Sequence, residues 1–207
     1  MLKFLFQGDS ITDADRNRDD ENNYGYGYPN LFAAEVGKAF PGEYYFINEG
    51  ISGNRIVDLY ARIKSDIINH QPDYMSILIG VNDVSHELTQ GCGVAPEKFS
   101  KIYSMLIEEI KDALPEIKII ILEPFVLKGS ATTELWEQFN CEVRKLAEVS
   151  KQVAEQFSLK FVPLQAEFDK ASSDGDTRYW SVDGIHPTAA GHQIIKEELQ
   201  KAIKDII

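Results

Sequence analysis

Two polar segments, one near each end of the chain, carry side chains that together could perform nucleophilic catalysis. Gly8-Asp9-Ser10-Ile11-Thr12 follows a short apolar run, and Asp183-Gly184-Ile185-His186-Pro187 precedes a stretch of helical period. A serine hydroxyl becomes a nucleophile when an imidazole removes its proton, and a carboxylate orients that imidazole. A three-residue separation lets Asp183 reach the Nδ1–H of His186 within one turn. It leaves Nε2 free to accept the proton of Ser10.

Each of these segments also has a purely structural interpretation. Asp9 or Ser10 could cap a helix, because both side chains accept hydrogen bonds from the free N–H groups of a first turn. Asp183 could cap the entry to the last helix, where Pro187 suits the first helical position. Either segment alone leaves both interpretations open, and the catalytic one gains weight because the two segments occur together.

Acyl transfer also requires hydrogen-bond donors directed at the oxyanion that develops in the transition state. The second apolar run leads into Asn48-Glu49-Gly50-Ile51-Ser52-Gly53-Asn54, where a glycine allows the backbone to turn an N–H toward a ligand. The third leads into Gly80-Val81-Asn82-Asp83, which adds a side-chain amide. Gly and Asn are common turn residues and Asp83 could cap a helix, so each feature is weak alone. Jointly they fall at the ends of the first three predicted strands.

The elements that would position these residues alternate along the chain. Apolar, β-branched or aromatic runs predict five buried strands: Leu2 to Phe6, Tyr45 to Asn48, Tyr74 to Ile79, Lys118 to Leu122 and Lys160 to Pro163. Stretches of helical period predict five helices: Leu31 to Ala39, Ile56 to Ile68, Glu97 to Leu114, Leu135 to Phe157 and Ala189 to Ile206. This alternation predicts an α/β fold, in which right-handed crossovers cover both faces of a parallel sheet with helices. Ligands in such sheets bind at the carboxyl ends of the strands.

The chain shows no internal repeat and no linker rich in Pro, Gly or Ser, so residues 1–207 are expected to form a single domain. The one compositional oddity is Tyr24-Gly25-Tyr26-Gly27-Tyr28-Pro29. It is typical of a loop, which could line a site or form an ordinary surface turn.

Composition limits the partners of the protein. A chain of 207 residues with 43% hydrophobic and 26% charged residues can bury a continuous core without disulfides or a structural metal. The net charge of -12 repels phosphate backbones and anionic lipid headgroups, so nucleic acid and acidic membranes are not expected partners. Cys92 and Cys141 form no C-x-x-C pair or Cys/His cluster, and no metal or cofactor is expected. The N-terminal apolar run is too short for a signal peptide or membrane span, which predicts a cytoplasmic protein.

The ordered set Gly8-Asp9-Ser10, Gly53, Asn82 and Asp183-x-x-His186 resembles the four sequence blocks of the SGNH hydrolases, also called GDSL esterases, over nearly the whole chain. This resemblance implies a flavodoxin-like three-layer α/β/α sandwich with a five-stranded parallel sheet. It implies that Ser10 is the nucleophile, His186 the general base and Asp183 the orienting carboxylate. The implied oxyanion hole consists of the Ser10 N–H, the Gly53 N–H and the Asn82 amide.

Longer stretches resemble one subgroup, the bacterial intracellular acetylxylan esterases. They are Gly8 to Asp13, Gly50 to Asn54, Pro72-Asp73 and Asp183-x-x-His186-Pro187-x-x-Ala190-Gly191-His192. The resemblance implies hydrolysis of acetyl esters of small-molecule or oligosaccharide alcohols, and association into a homo-oligomer. The chain departs from the subgroup at Arg55, where a threonine is usual, and in placing Trp180 three residues before Asp183. Lysophospholipase and thioesterase activities use the same machinery and stay open as alternatives.

Three further residues, Asp9, Tyr26 and Trp180, are predicted to contact the substrate. The two aromatic rings, with those of Tyr24 and Tyr28, would offer flat surfaces on which a sugar stacks. The histidines that match no catalytic position are expected at the surface or in helices; they are His70, His86 and His192.

Two other classes of protein compete with the esterase. One is a nucleotide- or phosphate-binding protein, because phosphates often bind at the loop after the first strand of a parallel sheet, but no G-x-G-x-x-G or G-x-x-x-x-G-K-[ST] motif is present. Its acidic cluster, Asp9, Asp13 and Asp15, would repel phosphate unless it held a metal ion, as in a metal-dependent phosphatase. A non-catalytic carbohydrate-binding module would use the aromatic residues, including Trp136, but has no need of an activated serine. Dependence on a metal would favour the phosphatase, and covalent labelling of Ser10 would favour the esterase.

Overall fold

The computed structural model describes residues 1–173 and 175–204. In these residues five parallel strands form one sheet. The strands are β1 (Leu2–Gly8), β2 (Tyr44–Asn48), β3 (Tyr74–Leu78), β4 (Lys118–Leu122) and β5 (Lys160–Val162). Their order across the sheet is β2-β1-β3-β4-β5. The predicted α/β fold and all five predicted strands are therefore confirmed.

Helices connect the strands and cover the sheet. Within the described residues they are α1 (Ser10–Asp13), α2 (Tyr28–Ala39), α3 (Ile56–Ala61), α4 (Ile63–Asp66), α5 (Val81–Gln90), α6 (Pro96–Ala113), α7 (Trp136–Gln156), α8 (Gln165–Ala171) and α9 (Ala189–Ile203). Short 3-10 turns lie at Ile68–His70, Thr133–Leu135 and Thr177–Tyr179. No helix in the part of the chain that the structure describes has the length and apolarity to cross a membrane.

The helices form two groups. Helix α2 packs against α9, and Phe32 of α2 lies against Phe4 and Phe6 of β1, with ring centroids 4.9 and 5.6 Å apart. In the other group, α6 packs between α3 and α7.

The chain moves from β1 to one side for β2 and then to the other side for β3, so the strand order reverses beside β1. The residues that follow β1 and β3 therefore lie where ligands bind in such sheets.

The helix predictions needed two corrections. The single helix predicted over Ile56 to Ile68 is interrupted at Arg62 and Ile67, whose φ angles are -111° and -131°. Burial of Ile63 and Ile67 and the anchoring of the Arg62 side chain described below outweigh the helical period there. Two helices, α5 and α8, were not predicted, because each has few apolar positions. The part of the last predicted helix beyond residue 204 lies outside the described residues.

Helix α9 begins at Ala189, as predicted, but its cap differs from the expectation. Thr188 caps this helix, and its Oγ1 accepts a hydrogen bond from Gly191 N at 3.3 Å. Pro187 lies before the cap and pairs with Ser181 in an isolated antiparallel bridge. The prediction of Pro187 at the first helical position is therefore wrong. Asp183 does not cap α9 either, which leaves its carboxylate available for other contacts.

Candidate active site

Ser10 lies at the carboxyl end of β1, where the chain turns directly into α1. Asp9 caps this short helix, with its Oδ1 accepting a hydrogen bond from Ile11 N at 3.0 Å. The turn is tight: a Cβ on Gly8 would lie 2.3 Å from the Oγ1 of Thr12. The capping interpretation is thus correct for Asp9, and it is also what presents Ser10 at the edge of the sheet.

The two ends of the chain meet at Ser10. Its Oγ is 2.9 Å from Nε2 of His186, and Nδ1 of His186 is 2.8 Å from Oδ2 of Asp183. The other carboxylate oxygen of Asp183 accepts from Ile185 N at 2.9 Å and from His186 N at 2.8 Å. The carboxylate therefore fixes both the turn and the imidazole. A neutral ring that donates from Nδ1 has an unprotonated Nε2 facing the hydroxyl.

The pKa values of Asp183 and His186 are both shifted in the direction that keeps the carboxylate ionised and the imidazole basic. Burial raises the pKa of Asp183, but the hydrogen bonds from the side chain and backbone of His186 and from Ile185 N outweigh it and lower the pKa to about 2. The hydrogen bond to Asp183 raises the pKa of His186, partial burial opposes this, and the charges of Asp183, Asp9 and Asp15 raise it further. The ionised Asp183 therefore makes His186 a stronger base.

A neighbouring loop, which the sequence did not indicate, holds the turn that carries Asp183. Leu127 N donates to Gly184 O at 2.8 Å, and Ala131 N donates to Asp183 O at 2.9 Å. Gly184 has a φ of +102°, and a Cβ there would lie 2.5 Å from Leu127 O. The buried hydroxyl of Thr132 accepts from Gly129 N at 2.9 Å and donates to Leu127 O at 2.8 Å, which closes the loop.

Three N–H donors in the segments that follow β1, β2 and β3 have no partner within the described residues. They are the backbone N–H groups of Ser10 and Gly53 and one N–H of the Asn82 amide. The other N–H of Asn82 donates to Asn54 O at 3.1 Å, which joins the loop after β2 to α5. Gly53 has a φ of +81°, a conformation that favours glycine, and its neighbour Ser52 lines the same cleft as Ser10. This set has the composition of an oxyanion hole.

A half-buried arginine and a buried aspartate, whose roles the sequence did not indicate, fix the loop after β2. Arg62 donates to Asn54 Oδ1 at 2.8 Å, to Gln7 Oε1 at 2.6 Å and to the carbonyl oxygens that end β1 and follow β2. The carboxylate of Asp83 accepts from Ile56 N at 3.1 Å, and burial raises its pKa well above its usual range. These contacts are long-range in sequence, so no local pattern indicates them.

Beside Ser10 and His186 lies a cleft of about 480 Å³. It is bordered by the turn that follows α1, by the loop before α2 and by the first turn of α9; its lining includes Asp15, Tyr26, Ser52, Val182, Thr188 and His192. Tyr26 is 80% exposed and Val182 is 68% exposed. The cleft thus combines an apolar rim with polar walls.

Of the three residues predicted to contact the substrate, one lines the cleft and two do not. Tyr26 lines the cleft, whereas Asp9 is 1% exposed below Ser10 and cannot touch a substrate. Burial raises the pKa of Asp9 to about 7, against the hydrogen bond from Ile11 N and the charge of His186. Trp180 does not line this cleft: its ring packs against the core and edge-on to Tyr179, 4.9 Å away.

Other sequence-based expectations are corrected by burial. Tyr28 cannot stack on a sugar, because it is fully buried and its OH is 3.0 Å from the Oγ1 of Thr12. Tyr24 packs edge-on against Phe46. His192 lies in a helix, as expected, and is buried there.

Two carboxylates of the acidic cluster near Ser10, those of Asp9 and Asp13, are engaged by protein donors. Asp13 Oδ2 accepts from Arg18 at 2.9 Å and from Ser52 N at 3.1 Å, and Asp9 caps α1. The described residues contain no group of three or more His, Cys, Asp or Glu side chains that could hold a metal ion.

The fold is a three-layer α/β/α sandwich of flavodoxin-like topology, and a serine, a histidine and a carboxylate form one hydrogen-bonded chain at the carboxyl edge of its sheet. The sequence matches the model of the GDSL-like lipase/acylhydrolase family over residues 6–194. The protein belongs to this family and is a carboxylic ester hydrolase.

Relatives of known structure cover the chain almost completely. An acetylxylan esterase from Geobacillus stearothermophilus is 31% identical over 97% of this chain and 93% of its own length. The crystal structure of an acetylxylan esterase from the same organism aligns with a TM-score of 0.87 and 30% identity, over 98% of this chain and 94% of that one. A putative GDSL-like lipase from Parabacteroides merdae aligns with a TM-score of 0.93 and 34% identity, over 98% and 95%. The fold predicted from the resemblance is therefore confirmed.

Proposed function

We propose that the protein hydrolyses acetyl esters of carbohydrate alcohols through an acyl-enzyme on Ser10. The observation that carries this proposal is the unbroken chain of hydrogen bonds from Ser10 Oγ to His186 Nε2 and from His186 Nδ1 to Asp183. The acetylxylan esterase relative supports it, because two of that enzyme's structures are of catalytic mutants, one serine-to-alanine and one histidine-to-alanine.

In the proposed mechanism, neutral His186 removes the proton of Ser10 as its Oγ attacks the ester carbonyl. The tetrahedral intermediate places its oxyanion among the N–H groups of Ser10, Gly53 and Asn82. Protonated His186 then gives its proton to the alcohol oxygen as the carbon–oxygen bond breaks. A water molecule, activated by the same imidazole, hydrolyses the acyl-enzyme and restores Ser10.

The direction of proton transfer assigns the two sides of the site. Because His186 protonates the leaving oxygen, the alcohol must lie on the His186 side of Ser10, which is the side of the cleft. A long acyl chain needs an extended apolar trough. An apolar groove lies between α5, α6 and α7 and is lined by Val84, Leu88 and Val94 among others. It shares no lining residue with the cleft of Ser10. This geometry favours a short acyl group and a polar alcohol.

A chain-length series tests the substrate class. We expect kcat/KM for p-nitrophenyl esters to fall by about tenfold or more from acetate to octanoate, because each methylene finds no apolar partner. We also expect turnover of an acetylated xylooligosaccharide. The Ser10→Ala variant gives the background rate for every substrate. Octanoate hydrolysed faster than acetate, with no turnover of the sugar ester, would indicate a lysophospholipase or thioesterase with the same catalytic residues.

The oxyanion assignment makes a separate prediction. Asn82→Ala is expected to lower kcat roughly 10²- to 10³-fold while KM changes little, since the amide binds charge that exists only in the transition state. Steady-state kinetics on p-nitrophenyl acetate measures both constants, and the melting temperature checks that the contact to Asn54 is not essential for folding. A large rise in KM with normal kcat would instead make Asn82 a ground-state binding residue.

A further inference from the structure

The cleft beside Ser10 contains a buried imidazole that the catalytic steps do not use. His192, in the first turn of α9, is 8% exposed and lines the cleft together with Ser10 and His186. Its Nδ1 accepts a hydrogen bond from the backbone N–H of Tyr28 at 3.2 Å. A neutral imidazole that accepts at Nδ1 carries its proton on Nε2. His192 therefore presents a donor of fixed position.

This donor is available to a ligand. Burial lowers the pKa of His192 to about 4, and the charge of His186 lowers it further, so the ring is neutral at neutral pH. Within the described residues Nε2 has no hydrogen-bond partner. The buried side-chain atoms that lack a partner do not include it, so it keeps some contact with solvent. Nε2 is therefore not fully buried, and His192 is one of the residues that line the cleft.

The segment Gly25-Tyr26-Gly27 completes this part of the cleft. A Cβ on Gly25 would lie 2.5 Å from Asp13 O, and one on Gly27 would lie 2.8 Å from Cε1 of His192. The two glycines thus let the backbone approach both the turn after α1 and the imidazole. Tyr26 N donates to Ala14 O at 2.8 Å, which holds the exposed ring of Tyr26 at the rim.

The turn after α1, against which this segment packs, adds an acidic side chain to the cleft. Asp15 is exposed and lines the cleft, and both Ala14 and Asp15 have left-handed backbone conformations, with φ of 45° and 56°. Such conformations are uncommon for residues other than glycine and occur often at functional sites. The cleft thus offers an N–H donor, a carboxylate acceptor and a flat aromatic ring. These groups are complementary to a ligand with hydroxyl groups and an apolar C–H face, such as a sugar ring.

We infer that His192, Asp15 and Tyr26 form the subsite for the leaving alcohol, and that this alcohol is a pyranose with a free hydroxyl next to the acetylated position. His192 Nε2–H donates to a sugar oxygen, Asp15 accepts from a hydroxyl, and the ring of Tyr26 stacks on the C–H face. The inference rests on the proposed function, because the proton donated by His186 is what places the alcohol on this side of Ser10.

Two acetyl esters that differ only in the alcohol test this inference: a monoacetylated methyl xyloside and p-nitrophenyl acetate. For His192→Phe we expect the ratio of kcat/KM for the xyloside to that for p-nitrophenyl acetate to fall about tenfold, mainly through KM. His192→Gln, which keeps an N–H donor and an acceptor for Tyr28 N, should restore most of the ratio. Equal losses on both esters, or no rescue by glutamine, would overturn the assignment of His192.

A tyrosine pair provides the matched control. Tyr26→Ala should lower the same ratio, whereas Tyr179→Ala, which removes an exposed ring that does not line the cleft, should leave it unchanged. Equal effects of both variants would reject the stacking role. Failure of the proposed function has a different signature: the unaltered enzyme would hydrolyse p-nitrophenyl acetate but not the xyloside, or Ser10→Ala would keep its activity.

Discussion

Ser10→Ala and His186→Ala are each expected to lower kcat roughly 10⁴- to 10⁶-fold, and the double variant is expected to be scarcely slower than either single one. The reason is the direct contact of 2.9 Å between Ser10 Oγ and His186 Nε2. The two side chains share one proton transfer, so once either is removed, the loss of the other causes little further decrease in kcat.

The measurement is steady-state kcat on p-nitrophenyl acetate for the unaltered enzyme, both single variants and the double variant. His86→Ala serves as the histidine control, because His86 lies on α5 and does not line the cleft. Labelling by a fluorophosphonate should be lost in Ser10→Ala and retained in His86→Ala. Multiplicative losses in the double variant would refute the shared step and reduce the contact between Ser10 and His186 to a structural one.

Asp183→Asn is expected to lower kcat about 10⁴-fold at neutral pH while the turn keeps its shape. The asparagine oxygen can still accept from Ile185 N and His186 N, as the carboxylate does. Its NH₂ group, however, favours the tautomer of His186 with the proton on Nε2, and that tautomer cannot accept the proton of Ser10.

The same variant should shift the pH profile. Activity requires neutral His186, so kcat/KM rises with pH through the pKa of this residue. Because Asp183 raises that pKa, its replacement by asparagine should move the acidic limb of the profile to lower pH. Asp112→Asn, at an exposed carboxylate on α6, should leave both the rate and the profile unchanged. Full activity of Asp183→Asn at neutral pH would limit Asp183 to stabilising the turn.

Local sequence patterns were sufficient to predict the strands and their alternation with helices along the chain. A buried strand of a parallel sheet is a continuous apolar run, and β4 (Lys118–Leu122) matches its prediction residue for residue. Helices were less predictable. Only three apolar side chains, Val81, Val84 and Leu88, mark the buried side of α5, so its pattern was too short to be recognised.

The sequence by itself indicated the candidate catalytic set. Ser10, Gly53 and Asn82 each follow a strand, and parallel strands bring their carboxyl ends to one edge of the sheet. Asp183 and His186 follow no predicted strand, and the resemblance to the SGNH sequence blocks is what joined them to the set. Only the tertiary structure decided which aromatic and polar side chains face the cleft. Tyr26 and Tyr28 are two residues apart, yet one lies at the rim and the other in the core. The difference arises from close approaches between distant segments, such as Gly27 against His192, and no local pattern records such contacts.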